Sequence, residues 1–195
     1  AAAGDNRLLV VAIQTNNYAN GASSVTWNGV ALNKLDGNGA SMVKTAASEG
    51  RAEIWTLVAP ATGTHDLVVT FQAHVAKVSA TASFWTGVNQ TTPLGAFSGN
   101  KGESGYTYSV NVVSGSGQVV VDSVVGYAGY PLTLTVGTGQ TSLGYGTVGS
   151  QFAYGSSYEA GAASVTMSWA ANTSIGHWAI GAVPLIPAYL AGSGG

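Results

Sequence analysis

The sequence predicts an all-β protein: a two-sheet antiparallel β-sandwich, jelly-roll-like, with about 11–12 strands. Three observations carry this. Helical periodicity is almost absent, while short runs rich in β-branched and aromatic residues recur along the chain. The runs are separated by glycine-rich breaks, and the chain has 28 glycines in 195 residues. The dipeptide Asn28-Gly29 lies between two apolar segments, a strong hairpin signal because both residues tolerate positive φ. The length suits one sandwich domain over 1–188, followed by a flexible tail over 189–195 that closes on Gly192-Ser193-Gly194-Gly195.

The strands follow in order. Residues 7–15 (RLLVVAIQT) form the first run. Residues 24–32 make the Asn28-Gly29 hairpin. In 51–58 (RAEIWTLV), Ala52, Ile54 and Thr56 share one face. After a turn at 60–63 come 64–72 (THDLVVTFQ) and 77–85 (KVSATASFW). Residues 87–105 read as a long polar connection and a sheet crossover. Strands resume at 106–113, where Tyr106, Tyr108 and Val110 share a face, and at 118–125 after the Gly115-Ser116-Gly117 turn. Residues 132–136, 146–154, 163–169 and 175–186 complete the set. The core is expected to draw on Leu9, Val11, Trp27, Ile54, Leu57, Val68, Phe71, Phe84, Val110, Val112, Val119, Val121, Val165, Met167, Trp178 and Ile180.

Charge narrows the function classes. Charged residues make up 7% of the chain and the net charge is −2, against roughly 25% charged residues in ordinary soluble proteins. The six basic residues, at 7, 34, 44, 51, 77 and 101, are scattered singly. Nucleic acid, which needs clustered cations, is therefore not an expected partner. No apolar run is long enough for a transmembrane helix. Without cysteine there is no disulfide, thiolate-bound zinc or thiol catalysis. Ala1-Ala2-Ala3-Gly4 reads as a mature start after a small-residue cleavage site or as a trimmed end. A surface with so little charge opposes contact between copies only weakly.

Residues that could carry chemistry are few and scattered. No Gly-x-Ser-x-Gly elbow or His-Glu-x-x-His helix is present. His65, His74 and His177 lie in or beside strands and read as surface or packed residues. A glycosidase needs two facing carboxylates. Of Asp5, Asp36, Glu49, Glu53, Asp66, Glu103, Asp122 and Glu159, Glu53 and Asp122 sit within strands where they could point inward, and both are expected to face solvent. The run Leu35-Asp36-Gly37-Asn38-Gly39 resembles half of a calcium loop but lacks the later acidic ligands, so it reads as a turn. No catalytic residue, metal ligand or cofactor is expected, and the chain is not read as an enzyme. Asn89-Gln90-Thr91 and Asn172-Thr173-Ser174 match glycosylation sequons.

Several segments together resemble a broad family of uncharacterised β-sandwich modules in secreted and cell-surface bacterial proteins and in some phage virion proteins. The matching stretches are Asn6 to Val11, Val25-Thr26-Trp27-Asn28-Gly29-Val30-Ala31-Leu32, Glu53 to Pro60, Gly63 to Thr70, FWTGVNQTTPLG over 84–95, and Trp178-Ala179-Ile180-Gly181 with Pro187-Ala188. The resemblance covers most of the chain, best in its first hundred residues, and implies a fold and an extracellular, cell-surface or virion setting. It brings no catalytic residues. Family members usually have one more strand before the Asn-Arg-Leu-Leu segment, where this sequence has only residues 1–5.

The expected function is an extracellular structural subunit that assembles with copies of itself as a filament, sheath or surface layer, by β-edge contact or strand donation. Leu8, Leu9, Val10 and Val11, with Val183, Leu185 and Ile186, are the expected assembly edge. The alternatives are a carbohydrate-binding or adhesive module that contacts surface glycans through Tyr127, Tyr130, Tyr145 and Tyr154, and a virion decoration or fibre protein.

Overall fold

The computed structural model describes residues 4–16, 21–35, 43–44 and 50–188. Every assigned element in them is a strand. The first half of the chain supplies β1 (Leu8–Asn16), β2 (Ala22–Trp27), β3 (Val30–Ala31), β4 (Asn33–Lys34), β5 (Val43–Lys44), β6 (Arg51–Val58), β7 (Leu67–Phe71) and β8 (Lys77–Trp85). The second half supplies β9 (Ser98–Ser104), β10 (Thr107–Val112), β11 (Val119–Tyr127), β12 (Leu134–Val136), β13 (Thr141–Val148), β14 (Phe152–Ala160), β15 (Val165–Ala171) and β16 (Ile175–Leu185). Asn28 (φ 50°) and Gly29 (φ 75°) both take positive φ between β2 and β3, as a two-residue hairpin turn requires.

All pairings are antiparallel, as expected, but they build four sheets, not two. Their orders are β4-β6-β1-β8 with β5 also on β6, β3-β2-β7, β13-β14-β11-β16-β9, and β10-β15-β12. The alternation of side chains along β1 and β11 fixes how the sheets stack. From β1, Leu9, Val11 and Ile13 pack with Val25 and Trp27 of the β3-β2-β7 sheet. Leu8 and Val10 point the other way, against Val121, Val183 and Leu185. From β11, Val120 and Val124 pack with Met167 and Trp169 of the β10-β15-β12 sheet. The molecule is therefore two sandwiches back to back, with four layers and two inner sheets.

Double covering explains the composition of the inner strands. The first eight residues of β1 and the first six of β6 are buried without alternation, the pattern of a sheet covered on both faces. Residues 86–97 carry the chain from the first sandwich to the second. They are tied to the end of the chain by the bridges Val88↔Pro187 and Leu94↔Leu185.

Several expectations change at residue level. Residues 98–104 form a strand inside the expected polar connection. The expected strand 146–154 is a hairpin, β13 and β14, turning at Gly149 (φ 63°). Val68 is 50% exposed, because Leu67, Val69 and Phe71 are the inward residues of β7. Tyr106 precedes β10 and is exposed, whereas Tyr108 is fully buried. Asp36 to Gly39 and the 189–195 tail lie outside the described residues.

Candidate functional site

The two carboxylates expected to face solvent are both fully buried. The central strands of each inner sheet are covered on both faces, so neither face of β6 or β11 opens to water. Glu53 Oε2 accepts from the backbone N–H of Ala22 (3.2 Å) and from Trp55 Nε1 (2.9 Å). Lys34 Nζ donates to Oε1 at 3.3 Å. A Cβ at Gly21 would collide with this carboxylate, so glycine is needed for the chain to close over it. Asp122 Oδ1 accepts from the Ser157 N–H at 2.6 Å and Oδ2 from Trp169 Nε1 at 2.8 Å. Burial pushes the Asp122 carboxyl up to about 7, against the opposing pull of the bonds from Trp169 and Ser157. Nearby, Gln14 reaches across the inner interface and donates to Ser123 Oγ (2.8 Å) and the Gly155 carbonyl (3.2 Å).

These carboxylates do not face one another. Glu53 pairs with Ile13 on the side of the β3-β2-β7 sheet, whereas Asp122 pairs with Ala182 on the side of the β10-β15-β12 sheet. Both inner sheets stand between them. Each carboxylate satisfies an indole N–H and a backbone N–H in its own sandwich. That role is structural, because a buried unpaired donor costs about 1–3 kcal/mol.

The expected assembly edge lies in the interior. Leu8, Leu9, Val10 and Val11 sit on β1, which pairs with β6 on one side and β8 on the other. Val183 and Leu185 pair with β11. On their other flank, Leu94 bridges Leu185, the Gly95 N–H donates to the Pro184 carbonyl (2.9 Å), and the Ile186 N–H donates to the Pro93 carbonyl (2.8 Å). The most apolar runs are the central strands for the same reason that they are apolar: both faces are covered.

Open edges occur elsewhere. β8 ends its sheet, and only β1 pairs with it among the described residues. It is nine residues long, keeps an unbroken register and has one charged residue, Lys77, at its start. The other long edges are blunted. β9 carries Lys101 and Glu103, and its pairing with β16 shifts register between Ile175 and Trp178. β13 shifts register between Ser142 and Gly144. On β10, the Ser109 carbonyl accepts from Asn100 Nδ2 at 2.7 Å. Charges and bulges are the usual protection of a sheet edge, and β8 has neither along residues 78–85.

The four tyrosines do not form one platform. Tyr127 and Tyr154 pack, partly buried, on Val125 and Phe152 between the inner sheets. Tyr145 pairs with Gly155, whose missing Cβ makes room for the Trp169 ring on the outer side. Its own ring lies 6.2 Å from that of Trp169. Tyr145 and Tyr130 are 59% and 61% exposed. His65 bonds to the Thr62 carbonyl and meets Trp27 edge-on at 5.5 Å. No group of three or more His, Asp or Glu among the described residues is arranged to hold a metal. No helix in them is long and apolar enough to cross a membrane. A cleft of about 370 Å³ between β9 and β10 is lined by neutral residues, Asn100 and Asn111 among them.

Comparison with protein-family models, with characterised proteins and with solved structures finds no match to this chain.

Proposed function

We propose that this protein is an extracellular structural subunit that assembles with copies of itself through open sheet edges, into a filament, sheath or surface layer. One observation carries the reading: β8 is a nine-residue edge strand whose outer side has no partner among the described residues and no charge after Lys77. Unpaired backbone N–H and C=O groups along such an edge are a template for another chain. The net charge of −2 on 195 residues offers little repulsion between copies. The test is electron microscopy and light scattering on the purified chain across a concentration series. Ordered particles larger than one chain are expected; monodisperse monomers at every concentration would refute the reading.

A second reading, glycan binding, is favoured by the exposure of Tyr130 and Tyr145, since exposed aromatic rings stack on sugar faces. Glycan-array binding that disappears on Tyr145→Ala or Tyr130→Ala supports it, and no binding to any glycan removes it.

A further inference from the structure

The two sandwiches repeat one plan, and among the described residues the second has one strand more than the first. In the first, β1 is flanked by β6 and β8, and β2 pairs with β7. In the second, β11 is flanked by β14 and β16, and β12 pairs with β15. The order along the chain is the same, and the inner sheets meet with β1 against β11. The second sandwich has a further strand in its outer sheet. There β10 pairs antiparallel with β15 and lies over β16. Its Tyr108 stacks on Trp178 at 5.1 Å, and Trp178, Ile180 and Ala182 are buried beneath it.

In the first sandwich the place of β10 is vacant among the described residues: β7 ends its sheet. Leu8 pairs with Trp85 as Val119 pairs with Leu185, so Val78, Ala80 and Ala82 stand where Trp178, Ile180 and Ala182 stand. All three are exposed, Val78 by 42%. The inward residues of β7 are only half-buried, whereas Val165, Met167 and Trp169 of β15 are buried. The result is a step: β8 projects beyond β7 as a ledge floored by small apolar side chains, and both strands have a free edge beside it.

We infer that the β8 strand of a second copy of this chain fills this lane, and that the joint is reciprocal. Resting on the assembly reading above, this names the surface that starts assembly. The incoming β8 runs antiparallel to β7, as β10 does to β15, and lays its own Val78, Ala80 and Ala82 on the same residues of the ledge. Each copy fills the other's vacant lane, so one two-fold contact uses the free edges of β7 and β8 in both copies and leaves neither ledge exposed. Three features fit this occupant. The alanines let two sheets approach closely, the strand is uncharged after Lys77, and the surface is self-complementary. The tail is a poorer fit. It begins after Ala188, whose N–H donates to the Gly87 carbonyl at the end of the ledge. After Tyr189, Leu190 and Ala191 it runs into Gly192-Ser193-Gly194-Gly195, a stretch with no apolar side chain to lay over Ala80 and Ala82.

The chain has no cysteine, so single cysteines report the contact without background. Ala82→Cys and Ala80→Cys, one for each neighbouring register, are oxidised in the full 195-residue chain and run without reductant. Val113→Cys, 77% exposed and outside the lane, is the control. A disulfide needs Cα atoms within about 7 Å. The expected result is a disulfide dimer from at least one ledge variant, formed about tenfold faster than from Val113→Cys. If the protein forms large particles but neither ledge variant cross-links faster than the control, the lane assignment is wrong and the assembly reading stands. If the protein stays monomeric throughout, both are wrong.

Discussion

Asp122 makes stability depend on pH in the direction opposite to that of a salt-bridged carboxylate. Its carboxyl is fully buried and pushed up to about 7 by burial, whereas in the unfolded chain it titrates near its ordinary value of 3.8. Below that value both states hold the proton, and the carboxyl takes nothing from stability. Between about pH 4 and 7 the unfolded chain releases the proton and the folded one keeps it, so stability falls as pH rises and levels off above about 7. At 1.36 kcal/mol for each pH unit, the drop is roughly 4 kcal/mol. In Asp122→Asn the titration is absent. The new amide also meets the Trp169 N–H with a donor in place of an acceptor, or turns and meets the Ser157 N–H instead, a cost of about 1–3 kcal/mol. Urea unfolding of both proteins, followed by tryptophan fluorescence at half-unit steps from about pH 4 to 8, isolates the contribution as a difference. The stability of the wild type minus that of Asp122→Asn is expected to be largest near pH 4 and to shrink toward pH 7. A difference that stays constant, or grows with pH, would show that Asp122 is ionised in the fold throughout.

Two further outcomes follow from the buried chemistry and the turn. Glu53→Ala leaves the Ala22 and Trp55 N–H groups and the Lys34 ammonium without their acceptor. Roughly 3 kcal/mol of stability is lost, measured as a lower urea midpoint at unchanged slope, while Glu53→Gln keeps part of it. Gly29→Ala places a Cβ at φ 75° with open space around it. It costs about 1 kcal/mol from backbone strain alone, and a neutral result would mean that the turn relaxes.

The sequence is most legible where one local signal settles the backbone. Asn28-Gly29 turns as its residue types require, and 51–58 and 77–85 match β6 and β8 end to end. It misleads where burial depends on the number of layers. A period of two cannot show that both faces of β6 and β11 are covered, so Glu53 and Asp122 read as solvent-facing and the runs Leu8–Val11 and Val183–Ile186 as an edge. The unbroken apolar character of those runs is the available sign of a doubly covered sheet. β9 (SGNKGES) carries almost no strand propensity and is held as a strand by its pairing with β16. The open edge is hidden for a related reason: β8 alternates like an ordinary half-buried strand, and nothing local reveals that no strand of the described residues lies above it.

The most direct measurement is sedimentation velocity of the 195-residue chain beside Ala80→Lys+Ala82→Lys, over a hundredfold range of concentration. Both alanines are exposed, so the variant keeps the wild-type far-ultraviolet spectrum and melting point, while its charges fall on the ledge. The expected wild type associates as concentration rises, and the lysine variant remains monomeric over the same range. Identical sedimentation of the two, whether both associate or both stay single, would contradict self-assembly through the β8 edge.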